Sequence, residues 1–190
     1  IEDLDFETYL YISKDKFQIF VLNKKKLKNL YSQELKIDHQ FDFKDLNILL
    51  NFLDKNIYKI EKLIGNFIKN IILIVENEKN LKINMGIKKS YETSLKQKSF
   101  SSNLTELKDL FKKNYQDQII MHMCIINYII DGKRYSSFDT KLINDYFCIE
   151  VSFIAIDNKL VFAFDNVLEK YQIKIKQYMC GNYINNFIGC

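Results

Sequence analysis

The stretch ETYLYISKDKFQIFVLNKK, residues Glu7–Lys25, decides how the rest of the chain is read. Two runs rich in aromatic and β-branched residues flank the polar tetrad Ser13-Lys14-Asp15-Lys16. That pattern predicts a strand, a tight turn and a second strand. The tetrad also carries two cations, Lys14 and Lys16, which attract anions.

Working outward, KKLKNLYSQELKI follows a lysine-rich turn and predicts a third strand. Next, DFKDLNILLNFLDKNIYKIEKLIG places Leu46, Leu49, Leu50, Leu53, Ile57, Ile60 and Ile64 at steps of three and four, one face of a helix. Asp42 is the expected N-cap and Gly65 the expected C-terminal stop. NIILIVEN then reads as a short strand buried on both faces. The order to this point is β-β-β-α-β, a sheet with a covering helix.

From Glu78 the character changes. KNLKINMGIKKSYET predicts a strand, and SLKQKSFSS is polar and loop-like. NLTELKDLFKKN is expected as a short helix, with Asn103 as its cap and Glu106 three residues on. DQIIMHMCIINYIIDGKRY predicts a long strand entering a turn at Asp131-Gly132, and YFCIEVSFIAI its partner. This β-α-β-β segment is compact enough to be a module of its own. Beyond Asp157 the α/β pattern returns: NKLVFAFDNVLEKYQ is a helix, IKIKQYMC a strand and GNYINNFI the start of another helix. The expected organisation is an α/β domain from residues 1–77 and 157–190, with residues 78–156 inserted as an α+β module.

Composition narrows the function. The 190 residues are 47% hydrophobic and 27% charged, enough for a core and ordinary for a globular chain. Trp and Pro are absent, and the abundance of Ile, Lys and Asn looks like an AT-rich coding background, which devalues lysine runs as signals. The net charge of +4 is spread among acids instead of gathered on one basic face, which argues against nucleic acid as partner. Cys124, Cys148, Cys180 and Cys190 make no CxxC pair and His39 and His122 are far apart, so no zinc site is expected. Cysteines inside apolar runs read as small buried hydrophobes, and reduced thiols without a signal peptide point to the cytoplasm. No apolar stretch approaches the ~18 residues that cross a bilayer. The chain starts without Met, as a trimmed sequence would.

The order of elements, with a β-α-β-β insert after the first α/β crossover, resembles the N-terminal half of the bacterial cell-division protein FtsA, an actin-like family. The insert is similar to that family's SHS2 (1C) subdomain. The stretch HMCIINYIID carries the family's spacing of His122, Tyr128, Ile130 and Asp131, with Ile125-Ile126-Asn127 where the family has Pro-Gln-Glu. CIEVSFIAI, the helix after it and IKIKQYMCGNYINNF are similar to the family's strand out of the insert, next helix and strand back into the first lobe. The resemblance covers about residues 8–187. It implies one lobe of an actin/ribonuclease H-like fold with an SHS2-like insert.

In that family the opening hairpin usually reads Asp-x-Gly-Thr-Ser-Lys, the acid positioning metal and phosphate and the glycine admitting the phosphate to the backbone. Aligned on the lysine, this chain has Tyr11 at the acid, Ser13 at the glycine and Lys16 at the lysine. Acid and glycine are both replaced, and the second lobe that completes the nucleotide cleft lies outside these residues. GxGxxG, GxxxxGK[ST], GxSxG and HExxH are absent too. No catalytic, cofactor-binding or metal residue is therefore assigned. The expectation is a non-enzymatic FtsA-like scaffold of the division machinery, touching division proteins or further copies of itself through the insert. It would need no cofactor, ATP and magnesium entering only if a second lobe exists. It is expected in the cytoplasm at the inner face of the membrane, with membrane contact indirect or through a helix not present here. The alternative is a fragment of a full actin-like ATPase, FtsA or a pilus-assembly relative, which the apolar helix opening at Gly181–Cys190 favours.

Overall fold

A computed structural model describes residues 5–38, 41–90, 98–138 and 146–188. His39, Cys190 and the sequence between residues 91 and 97 lie outside them. The chain divides into two compact units, residues 1–79 with 159–190, and residues 80–158.

The first unit holds a five-stranded sheet in the order β3-β2-β1-β4-β9. Strands β1 (Phe6–Ile12) and β2 (Lys16–Asn23) form the expected hairpin, and β3 (Lys28–Lys36) extends it antiparallel. Strand β4 (Asn70–Val75) runs parallel to β1, and β9 (Lys174–Cys180) runs parallel to β4. Register follows burial. Thr8, Leu10 and Ile12 are buried and face Val21, Ile19 and Phe17, also buried. A slip by one residue would turn this whole set to solvent.

Helix α1 (Asn47–Ile64) buries Leu49, Phe52, Leu53, Asn56, Ile57, Ile60 and Ile64. Of the stripe expected from the sequence, Leu50 is only half-buried and Leu46 lies just outside the helix, while Phe52 and Asn56 join it. Asn56 is held there by a bond from Tyr31 on β3 at 2.6 Å and by its own bond to the Phe52 carbonyl at 2.6 Å. Gly65 ends the helix at φ +67, a conformation that costs glycine nothing. The start differs from expectation. Leu46, not Asp42, precedes the first turn and no side chain caps it. Asp42 and Asp45 instead accept the N–H groups of Lys44 and Asn47, making successive Asx turns that delay the helix.

The second unit is a four-stranded sheet in the order β5-β8-β6-β7, formed by β5 (Leu81–Ser90), β6 (Gln118–Ile130), β7 (Lys133–Tyr135) and β8 (Tyr146–Asp157). Asp131 (φ +48) and Gly132 (φ +81) make the two-residue turn from β6 into β7, both positive as such hairpins require. The short β7 was not anticipated. Helix α2 spans Lys98–Asn114, longer than expected, so Asn103 lies inside it as a buried residue and is not its cap. Leu107 and Phe111 pack on Phe147, Ile149, Val151, Phe153 and Ala155, all fully or almost fully buried. The Phe111 ring stacks on Phe153 at 4.8 Å between centroids. Helices α3 (Asn158–Glu169) and α4 (Gly181–Ile188) belong to the returning part of the chain, as their sequences indicated.

Candidate functional site

Ligands of open α/β sheets gather beyond the carboxyl ends of the parallel strands. Here those ends are Ile12 on β1, Val75 on β4 and Cys180 on β9, aligned by the register Ile12↔Val75↔Cys180. Three elements converge there: the β1–β2 turn, Glu76 just past β4, and the first turn of α4. The Glu76 N–H donates to the Ile12 carbonyl at 2.8 Å and ties the first two together.

The turn is closed by its own bonds. The Ser13 N–H donates to the Lys16 carbonyl at 2.9 Å, and the Lys16 N–H returns to Ser13 Oγ at 3.1 Å. Ser13 is buried at 2% exposure, and its hydroxyl donates to Asp15 Oδ1 at 2.5 Å. That bond holds the Asp15 carboxyl below its usual range. The outward carbonyls of the turn are also taken: Ile37 N–H donates to Asp15 O at 2.8 Å and Phe41 N–H to Lys14 O at 2.6 Å. Phe41 is buried against Phe17, edge to face at 4.7 Å.

Both turn lysines face acids. Lys14 pairs with Glu78 at 2.6 Å, which raises its pKa. Lys16 pairs with Glu34 at 3.4 Å and lies 5.3 Å from the centre of the Tyr11 ring.

Tyr11 donates its phenol O–H to Glu76 Oε2, and Asn185 Nδ2 of α4 donates to the same oxygen at 3.3 Å. Partial burial, then the Glu76 bond, pushes the Tyr11 phenol well above its ordinary range. Gly181 at the head of α4 packs into this group. A Cβ there would stand 2.9 Å from Glu76 Cβ and 3.2 Å from Tyr11 Cε2. The strand ends are thus joined by a Tyr11–Glu76–Asn185 clasp with Gly181 against it. A phosphate cradle needs unspent N–H donors and room beside the backbone. In this turn the donors of Ser13 and Lys16 are spent internally, and Tyr11 and Gly181 fill the space between the strands. Among the described residues there is no group of three or more His, Cys, Asp and Glu side chains that could hold a metal.

Other residues singled out in the sequence lie in the second unit. His122, Tyr128, Ile130 and Asp131 are all on β6 or its turn, away from the strand-end clasp in sequence and in a different sheet. Ile130 is buried at 1%, and partial burial of His122 lowers its pKa. Burial raises the pKa of the half-buried Cys148 thiol. Glu76, Gly181 and Asn185 were not foreseen. The signal for them was positional: an acid directly after the apolar run of β4, and a glycine directly after that of β9.

No family model and no curated protein matches the sequence. Solved structures do. A chain of the PilM–PilN type IV pilus biogenesis complex aligns with 95% of this chain and 49% of its own, at a TM-score of 0.58 and 6% identity. The fold is actin-like. The cytoplasmic domain of EpsL, an inner membrane component of the type II secretion system of Vibrio cholerae, aligns over 92% of this chain and 55% of its own (TM-score 0.38, 10% identity). A Bacteroides thetaiotaomicron protein with an actin-like ATPase fold and unknown function aligns over 98% and 56% (TM-score 0.37, 16% identity). The actin-like chain described here spans about half the length of these structures. None of its described helices is long and apolar enough to cross a membrane.

Proposed function

We propose that this actin-like chain is a non-catalytic, protein-binding component of a bacterial membrane-associated assembly. The observation that carries the reading is the Tyr11–Glu76–Asn185 clasp. Side chains meet at the strand ends where a nucleotide-binding lobe presents backbone to phosphate, which supports a chain working without ATP, magnesium or a catalytic residue. A lobe relieved of nucleotide chemistry keeps its surfaces for contacts. The structural neighbour at a TM-score of 0.58 comes from the PilM–PilN complex, a complex of two proteins, which supports such a role.

The FtsA-like division scaffold suggested by His122, Tyr128, Ile130 and Asp131 is one form of this reading. In it the unit of residues 80–158 serves as an SHS2-like contact module for division proteins or for a second copy. The pilus-assembly form uses the same architecture, and both place the protein in the cytoplasm at the inner face of the membrane. Nucleic acid is not a partner in either.

A second reading has its own support. The matched structures are about twice as long as this chain, as expected for a fragment of a larger actin-like ATPase. Titration calorimetry with magnesium and ATP tests the first reading, which expects no binding heat into the millimolar range. Micromolar, magnesium-dependent binding overturns it. The downstream reading frame tests the second, which expects a further lobe carrying its own phosphate hairpin.

A further inference from the structure

The first unit carries an open cleft of about 450 Å³ between the outer side of α1 and the turns that follow α1 and α3. Asp54, Tyr58 and Glu61 stand on its α1 wall, at spacings of four and three that put them in one stripe. Phe67, Lys170 and Tyr171, from the turns that follow α1 and α3, complete the lining with Ile57 and Gln172. Two of these rings are unusually exposed for their size, Tyr58 at 70% and Phe67 at 75%.

Both carboxylates accept hydrogen bonds from residues outside α1. Tyr171 Oη donates to Asp54 Oδ1 at 2.5 Å, and the Ile68 N–H donates to Glu61 Oε1 at 3.1 Å. Each bond uses one oxygen of an ionised group that has about four acceptor positions. Capacity is left on both, at fixed positions. Lys170 is the one basic residue of the lining, so the cleft carries two negative charges against one positive on a chain of net charge +4.

Fixed carboxylates beside open aromatic faces select a cation. A guanidinium suits them better than an ammonium, because it is flat, stacks on rings and forks onto carboxylate oxygens. An anion or a nucleic acid meets the wrong sign. Asp54 and Glu61 are seven residues apart, about 10 Å along the helix axis, too far for one side chain to bridge and suited to a segment lying along the groove.

We propose that this cleft docks an arginine-bearing segment of a partner protein, one guanidinium seating between Tyr58 and Phe67 against Glu61 while the segment runs along α1 toward Asp54. The inference rests on the protein-binding reading only in taking a polypeptide as guest, and it is independent of the nucleotide question. The test is calorimetric titration of the full chain with an acetylated, amidated peptide of alternating arginine and glycine, and with lysine and glutamate versions of equal length. The variants are Glu61→Gln, Tyr58→Ala, Phe67→Ala and, as a control in the other unit, the exposed Asp109→Asn, each checked for native circular dichroism. Expected are saturable binding of the arginine peptide, severalfold weaker binding of the lysine peptide and none of the glutamate peptide. Glu61→Gln should weaken arginine binding about tenfold, each ring deletion severalfold and Asp109→Asn not at all. No arginine binding, indifference to Glu61 or to both rings, or an equal loss in Asp109→Asn overturns the proposal. ATP binding with this pattern intact would refute the non-catalytic reading alone.

Discussion

Replacing Tyr11 with Phe removes one oxygen from the strand-end clasp and leaves the ring against Gly181 in place. Glu76 then keeps only the Asn185 bond, 3.3 Å long. A hydrogen bond to a charged group contributes about 1.5–3 kcal/mol, and a half-buried pair belongs in the lower half of that range, about 1.5–2 kcal/mol. For a chain of this length each kcal/mol moves Tm by about 2–4 °C, so the variant should melt about 3–8 °C lower. The comparison has a second dimension in pH. The folded-state pKa of Tyr11 is raised above its unfolded value. Its stabilisation is therefore complete below the unfolded pKa of about 10 and is lost as pH rises beyond it. The gap between wild type and Tyr11→Phe should be flat from pH 6 to 9 and should shrink above about 10. Thermal melts followed by far-ultraviolet circular dichroism, at about pH 7 and at about pH 11, measure it. A variant melting within half a degree of wild type, or a gap that widens at high pH, would refute the clasp as a stabilising element.

Three further substitutions have defined outcomes. Gly65→Ala forces a Cβ into φ +67 and should cost about 1–2 kcal/mol, with Gly65→Asn costing less, read from urea midpoints. Gly181→Ala places a Cβ 2.9 Å from Glu76 Cβ and 3.3 Å from its Cα, and overpacking should cost about 1–3 kcal/mol despite the better helix former; a stabilised variant would mean that the strand ends have slack. Phe111→Ala deletes a fully buried ring stacked on Phe153 and should cost about 3–5 kcal/mol, with hydrogen exchange accelerating in residues 80–158 before the rest of the chain.

Local patterns made much of the fold legible. The hairpin, the α1 stripe, the Gly65 stop and the Asp131-Gly132 turn each follow from spacing and backbone freedom within a few residues. Errors arose where local rules compete. Asp42 has the chemistry of a cap but spends it on an Asx turn, and Asp45 does so again three residues later. The serines of KSFSS weaken helix propensity without forbidding it, and α2 runs through them. The candidate site was half legible. Tyr11 stands out in the sequence by its place just before the hairpin turn. Its partner Glu76 is 65 residues away and reaches it only through the parallel β1–β4 register, which the core sets and no short window of sequence displays. The docking cleft was hidden for the same reason, since Tyr171 meets Asp54 across 117 residues.

The measurement closest to the central claim is titration of the intact chain with magnesium and ATP by calorimetry, run beside the Tyr11→Phe variant. If the strand ends are closed by side chains, neither protein should give saturable heat below millimolar nucleotide. A micromolar affinity in wild type that vanishes when magnesium is chelated would contradict the account.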